Sequence, residues 1–437
     1  MAEASAPKSL TSEPTFMARE GMRAAVVSLH TSPTATLGQS ANGGLNVYVR
    51  EVCTALSRRG VATDVFTRRV SERSPAFESL APLSRVVYLP AGGDDVDKQR
   101  LVDHVPDFTA SLEDFVERCG LHYDLIYSHY WLSGLAACCL RGSLQAPWAH
   151  TAHTLARVKN RKLAPGDLPE SELRVAAEGE IARCADLLVV STVAEGDELR
   201  QAYSVRPDRV AVVTPGVDLL NFQPQPRPLA RLLVGHPDER LFVFVGRLER
   251  LKGVDLILRA LARITAGGEH QDVRLLVLGE DSGAGGVSEK ARLQKMAHEL
   301  GIAGRVDFPG SVAQARLATY YAAAEAALMP SYNESFGLAG LEAQASGTAV
   351  VAGRGAGLAS VLRNGVSGFL VDRQDPELYA CYMRRLLEEP GLSERLGRSG
   401  RKLAERFSWQ RTADDLLARF RGMAAAQEGV QAISRQE

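Results

Sequence analysis

Glu334 and Glu342 frame the stretch Ser335-Phe336-Gly337-Leu338-Ala339-Gly340-Leu341. Carboxylates so placed can accept hydrogen bonds from sugar hydroxyls. The residues between them read as a tight turn and then a helix over Leu338–Ala345, with Asn333 or Ser335 as its N-cap. An exposed helix N-terminus presents free backbone N–H groups and the positive end of the helix dipole, which suits a phosphate. Taken alone, the stretch reads equally well as an ordinary capped surface helix. Three other places carry residues able to complete a chemistry. Arg247 and Lys252 put two cations just after the apolar run Arg240–Val245. Gly43-Gly44 stands between an apolar run and a helical pattern, where backbone can approach a ligand closely and a helix N-terminus favours an anion. By itself that pair is only a tight turn. It lacks the G-x-G-x-x-G spacing, which argues against a nicotinamide cofactor. His150-x-x-His153 has two histidines at a strand end that face different ways, with no third ligand, so no metal site is expected.

These residues need elements to hold them. Apolar runs at 22–30, 60–68, 85–90, 124–129, 147–154, 185–192 and 210–218 read as buried strands, with helical patterns from Gly44 to about Arg59 and from Leu101 to Cys119. Such alternation predicts a doubly wound parallel sheet. Ligands of such sheets sit beyond the carboxyl ends of the strands, where His30, Tyr130, His153 and Thr154 all fall. A proline-rich linker, 222–228, follows, and the alternation restarts with strands at 240–247, 274–279, 305–310, 326–330, 348–352 and 368–371. The expected organisation is a disordered extension at 1–21 and two Rossmann-like domains, at 22–218 and at 219–407. A closing helix from Trp409 to about Ala425, within 408–437, is expected to return to the first domain. The cleft between the domains is the natural site.

Composition narrows the class. With 437 residues, 45% hydrophobic and 6% aromatic, the chain can build two or three cores. Lys+Arg 51 against Asp+Glu 52 argues against a nucleic-acid partner. No apolar run reaches the roughly 20 residues that span a bilayer. The six cysteines are scattered without metal-ligand spacing and read as reduced, in a cytoplasmic protein.

Gly246-Arg247-Leu248-Glu249-Arg250-Leu251-Lys252-Gly253 with Glu334-x7-Glu342 resembles the signatures of family 4 retaining glycosyltransferases of the GT-B fold. Pro215-Gly216-Val217-Asp218 and Phe407-Ser408-Trp409 fit as well, and the likeness runs from about Met22 to about Ala425. In the first half, His30-Thr31-Ser32-Pro33, Gly43-Gly44-Leu45-Asn46-Val47-Tyr48-Val49, Ser128-His129-Tyr130-Trp131-Leu132-Ser133-Gly134 and the run from His150 to Asn160 resemble the inositol-phosphate glycosyltransferases of mycothiol synthesis, which use UDP-N-acetylglucosamine. The resemblance implies that the domain at 22–218 binds the acceptor and the one at 219–407 the nucleotide sugar, with Arg247 and Lys252 neutralising the donor diphosphate. Gly43, Gly44, Ser335, Phe336, Gly337 and Leu338 would line the donor, with the helix N-terminus adding backbone donors. Glu334 would hold sugar hydroxyls and Glu342 the ribose, with His153 beside the reacting sugar. Lys98, Tyr130, Thr154 and Arg174 would hold the acceptor phosphate, and Asn46 the ring.

It further implies no resident cofactor or metal, a nucleotide-diphosphate sugar as co-substrate with free Mg allowed, a small-molecule acceptor, no membrane, and room for a homodimer. Four departures stand out: Gly355-Ala356-Gly357-Leu358-Ala359-Ser360, Leu278-Gly279-Glu280-Asp281-Ser282-Gly283, Val312 where an arginine near the base is expected, and the segment between Pro90 and Lys98. They leave open the base, the donor sugar and the acceptor. An antibiotic-pathway enzyme acting on an aminocyclitol or small thiol, a sucrose-phosphate synthase-like enzyme, and a non-catalytic nucleotide-sugar binder are the other readings.

Overall fold

The structure is a computed structural model that describes residues 21–35, 43–71, 74–93, 96, 98–281, 288–355 and 357–434. The expected N-terminal extension lies, but for its last residue, outside the described residues, as do Ala356, Ser282 and Gly283 of the two departing loops.

The first sheet contains β1 (Arg23–Val27), β2 (Ala62–Arg68), β3 (Phe77–Ala81), β4 (Ser84–Leu89), β5 (Leu125–His129), β6 (Trp148–Thr151), β7 (Leu187–Val190) and β8 (Val210–Val212). Its order is β3-β4-β2-β1-β5-β6-β7-β8. Every neighbouring pair is parallel except β3 with β4. The second sheet contains β9 (Arg240–Val245), β10 (Val273–Leu278), β11 (Val306–Gly310), β12 (Ala324–Met329), β13 (Ala349–Gly353) and β14 (Gly368–Val371), in the order β11-β10-β9-β12-β13-β14 and parallel throughout. The unbroken apolar runs follow from helices covering both faces of each sheet. Leu241, Phe242, Val243 and Phe244 are at most 1% exposed, and successive side chains enter opposite cores.

Two elements differ from the sequence reading. β3 is an antiparallel edge strand that went unread, because its half-exposed FESLA segment shows no apolar run. The proline-rich stretch after Asp218 is not a free linker. Phe222 is 1% exposed against Tyr321, and a helix, Arg227–Leu233, starts within the stretch.

The chain crosses between the sheets twice at one place. Val217 N–H donates to the Phe407 carbonyl at 3.2 Å, and the Thr412 hydroxyl donates to the Thr214 carbonyl at 2.8 Å. The helix Trp409–Ser434 then lies on the first domain, where Trp409, Leu416 and Phe420 share a core with Tyr48, Val49 and Tyr127. At the crossing, a Cβ on Gly216 would stand 2.1 Å from the Trp409 nitrogen. Backbone on backbone cannot yield as a flexible side chain can.

Both sheets reverse winding direction at one strand pair, β1 with β5 in the first and β9 with β12 in the second. A crevice opens at such a point, beyond the strand ends. The Gly43-Gly44 loop and Tyr130 follow β1 and β5, and Arg247 and Glu334 follow β9 and β12. A Gly216→Ala substitution is expected to lower stability by at least about 2 kcal/mol in urea unfolding. Gly142→Ala, whose Cβ meets nothing within 4 Å on a helix, should leave the midpoint unchanged or raise it. Equal midpoints for Gly216→Ala and the unsubstituted chain would discard this account of the crossing.

Candidate active site

On the first domain the helix Gly44–Ser57 starts directly from the glycine pair. Asn46, fully buried, turns its amide back on the loop. Its Oδ1 accepts from Gly43 N–H at 3.2 Å, and its Nδ2 donates to Thr31 Oγ1 at 2.6 Å and to the Ser32 carbonyl at 2.5 Å. Expected as an acceptor contact, Asn46 is found shaping the glycine loop.

β5 ends at His129, and the helix Tyr130–Leu144 begins with Tyr130 at a φ of 72°. The Arg174 guanidinium carbon lies 4.8 Å from the Tyr130 ring centre, and its Nη2 donates to Thr154 Oγ1 at 2.8 Å. Tyr130, Thr154 and Arg174 are thus one group. Arg174 is 4% exposed and already faces Glu170 at 3.0 Å and Glu178 at 2.8 Å. The Lys98 backbone opens a short 3-10 helix, Lys98–His104, but its side chain lies outside the described residues.

On the second domain each of the two cations has a carboxylate partner. Arg247 pairs with Glu249 at 2.9 Å, and Lys252 Nζ donates to Glu334 Oε2 at 2.7 Å, both pairs only partly screened from solvent. The loops carrying Lys252 and Glu334 are joined by Tyr332 N–H donating to the Leu251 carbonyl at 2.9 Å. Gly253, with a φ of 68°, lets them close, since a Cβ there would stand 2.4 Å from the Pro330 carbonyl oxygen.

The helix N-cap is neither Asn333 nor Ser335. It is Gly337, at a φ of 87° and with no side-chain cap. Ser335 is engaged elsewhere, its hydroxyl donating across the cleft to the His153 carbonyl at 2.6 Å. Nor is the helix an exposed one. Leu338 and Ala339 are half-buried and the rest of the helix is buried. Phe336 is 5% exposed and sits in the second domain's core. Positions for added Cβ atoms locate the facing surfaces: one on Gly43 would lie 3.7 Å from Arg247 Nε, and one on Gly44 would lie 3.5 Å from Leu338 Cδ1. The glycine loop therefore faces Arg247 and the start of the helix Leu338–Ala345.

His153 has a φ of 60°. Its Nε2 is 3.1 Å from His129 Nδ1, and its ring meets the Tyr48 ring edge-on at 5.2 Å. Burial pushes its pKa down to about 3, so the imidazole is neutral at working pH. His150 faces elsewhere, with its Nδ1 2.8 Å from Ser128 Oγ in the core. Among the described residues, no group of three or more His, Cys, Asp or Glu is arranged to hold a metal ion.

Glu342 lies deeper, with the Tyr321 hydroxyl 3.4 Å from its Oε2. Burial raises its carboxyl pKa to about 8, partly offset by hydrogen bonds from Tyr321 and Gln314. Arg50 of the first domain hydrogen-bonds Gln314, linking the domains behind the carboxylate. Val312 stands just beyond β11, partly buried against the same core. Sequence reading missed His129, Glu249 and Tyr48 as site neighbours. Only His129 carried a signal, as the last residue of a strand.

This gathering can be set beside known proteins. A "Glycosyl transferases group 1" family model matches residues 234–403, and a "Glycosyl transferase 4-like domain" model matches 43–216. A Thermobifida fusca protein named D-inositol 3-phosphate glycosyltransferase is 42% identical over 404 residues, covering 91% of this chain and 93% of its own. The chain is a GT-B glycosyltransferase. A Rhodococcus jostii protein of the same name is 41% identical over 403 residues, covering 91% of this glycosyltransferase and 89% of its own chain. The solved sucrose-phosphate synthase of Thermosynechococcus elongatus superposes with a TM-score of 0.86 at 31% identity, over 93% of this chain and 100% of its own. Anabaena HepE, solved with UDP-glucose, shares the fold with a TM-score of 0.73 at 17% identity, over 92% and 100%.

The state of Glu342 makes a test. Its pKa is raised from the usual 4.5 to about 8 in the folded protein, so the native chain holds a proton there that the unfolded chain has released. Its contribution to stability is therefore full below 4.5 and is lost as pH rises through 8. Across that window the slope can reach about 1.4 kcal/mol per pH unit. Unfolding midpoints measured across this range should show Glu342→Gln gaining on the unsubstituted enzyme as pH rises. Parallel curves would mean that the carboxyl is already ionised.

Proposed function

We propose that this glycosyltransferase moves a sugar, with retention of anomeric configuration, from a nucleoside diphosphate sugar to a small anionic acceptor. UDP-N-acetylglucosamine is the leading donor and inositol phosphate the leading acceptor. One observation supports the reading: the Gly43-Gly44 loop of the first domain faces Arg247 and Leu338 of the second, and Ser335, next to the Lys252-paired Glu334, bonds to the His153 carbonyl across the cleft. Arg247 and Lys252 neutralise the diphosphate and the charge that grows on it as the C1–O bond breaks. The start of the helix Leu338–Ala345 adds backbone donors, and Glu342 takes the ribose hydroxyls. Glu334 exchanges its contact with Lys252 for the sugar hydroxyls.

With Glu334 holding the sugar hydroxyls, no second carboxylate stands out as a covalent nucleophile in this reading. The acceptor oxygen therefore attacks C1 from the face the diphosphate leaves. Its proton passes to the departing phosphate oxygen, and the new C1–O bond forms on that same face. His153, neutral at working pH, serves this step as a hydrogen-bonding group rather than a base. The enzyme needs no resident cofactor, with Mg entering only alongside the nucleotide, and a homodimer is the working assembly.

The names of the Thermobifida and Rhodococcus relatives support inositol phosphate, as does the site's chemistry: Tyr130, Thr154 and Arg174 stand at a helix N-terminus. The carboxylates already facing Arg174 leave Lys98 and that helix as the main charge for a phosphate. A second reading, transfer to a sugar phosphate as in sucrose-phosphate synthesis, draws on the likeness to the Thermosynechococcus enzyme. Val312 and the loop after β10 keep an antibiotic-pathway donor or acceptor among those to be tried.

A donor-by-acceptor screen read by mass spectrometry decides among them. The expected product is N-acetylglucosaminyl inositol phosphate. Failure with inositol phosphate and success with a sugar phosphate, aminocyclitol or thiol would replace the acceptor assignment. With the best pair, Lys252→Ala and Glu334→Ala are each expected to lower kcat at least about 100-fold. Their thermal midpoints should stay close to the unsubstituted value, because a partly exposed ion pair contributes about 0–1 kcal/mol. Near-normal turnover in either variant would sink the site assignment.

A further inference from the structure

His153 is held at three points. The Ser335 hydroxyl donates to its carbonyl, Tyr48 packs edge-on against its ring, and its Nε2 meets His129 Nδ1 at 3.1 Å. The third contact decides how its ring is used. His129 is fully buried and packs against the rings of Tyr127 at 4.2 Å and Tyr48 at 5.7 Å. Its other nitrogen, Nε2, is buried with no hydrogen-bond partner.

Two neutral imidazoles share one N–H···N bond, and only two arrangements exist. If His153 donated through Nε2–H, His129 Nδ1 would be the acceptor and His129 would carry its proton on Nε2. That places an N–H donor in an aromatic pocket with nothing to accept it, which is the rarer and costlier kind of buried orphan. If His129 donates through Nδ1–H, the buried Nε2 is a bare lone pair among rings, and His153 Nε2 is satisfied as acceptor. Burial pushes both histidines' pKa values down, so neither is charged at working pH.

We infer that His129 is a positioning residue that donates its Nδ1–H to His153 Nε2 and so fixes His153 as the Nδ1–H tautomer. This deepens the reading of His153 given above and rests on it. A neutral imidazole locked in this form presents one N–H donor, at Nδ1, and no basic nitrogen to the substrates, because the other lone pair is engaged. His153 can then steady a substrate oxygen but cannot take the acceptor's proton. The proton is left to the departing phosphate.

The test uses the full-length enzyme labelled with 15N-histidine. Nitrogen shifts of His153, assigned by comparison with a His153→Gln sample, should show a protonated Nδ1 and a bare Nε2 at neutral pH. With the best donor and acceptor, His129→Phe should lower kcat at least about tenfold, while donor KM changes less than about twofold. His129→Asn, whose amide N–H can stand where Nδ1–H was, should recover most of the rate and keep the His153 tautomer. A His153 protonated on Nε2, or a folded His129→Phe with unchanged kcat, would overturn the assignment. The spectrum reports the tautomer whichever acceptor is used, whereas absence of transfer by the unsubstituted enzyme with every pair would sink the function instead.

Discussion

Backbone touches backbone where residue 216 passes residues 408 and 409, and the rest of the molecule depends on that contact. It brings both interdomain crossings to one place and lays the last helix on the first domain. The carboxyl edges of the two sheets then face each other across the cleft. Each sheet supplies its crevice at the point where its winding reverses, so loops far apart in sequence share one space. Gly43 approaches Arg247, Gly44 approaches Leu338, and Ser335 bonds to the His153 carbonyl. All three contacts join the two domains across the same cleft.

The charges in this cleft are already answered by protein groups. Lys252 faces Glu334, Arg247 faces Glu249, and Arg174 faces Glu170 and Glu178. The pairs differ in what they allow. Those of Lys252 and Arg247 keep partial contact with water, so exchanging a carboxylate for a diphosphate is cheap. Arg174 is buried with Glu178, and pulling that partner away would strand a charge in low dielectric. It also contacts the Tyr130 ring and the Thr154 hydroxyl beside the helix Tyr130–Leu144. The two ends of the cleft thus set similar ion pairs in different surroundings, partly solvated at Lys252 and Arg247 and buried at Arg174 and Glu178.

The histidines show burial acting as a chemical choice. Removed from water and set among the rings of Tyr48 and Tyr127, His129 and His153 stay neutral. A neutral pair offers direction rather than charge. In the proposed mechanism the charge that develops during transfer is met from the other domain by Arg247 and Lys252, which suits a phosphate that receives the proton.

Much of the fold was legible because parallel strands covered on both faces must be apolar throughout. Thirteen strands and the two-sheet division follow from such runs; β3 did not, since an edge strand needs no apolar face. In the site, glycines, cations and glutamates could be picked out because their types are tied to chemistry and they stand at strand ends. Other features were decided only by packing. Asn46 turned inward on its loop, Ser335 left the helix cap to reach His153, and Phe336 became a core anchor. Arg174 acquired two carboxylate partners, and His129 became the neighbour of His153. By itself the sequence determined which residues could do chemistry and on which strand they stood, because apolar periodicity and residue type are local properties. Which nitrogen faces which oxygen, and which charge is free to move, was decided by the tertiary structure, because hydrogen bonds and desolvation depend on neighbours that the chain brings from more than a hundred residues away.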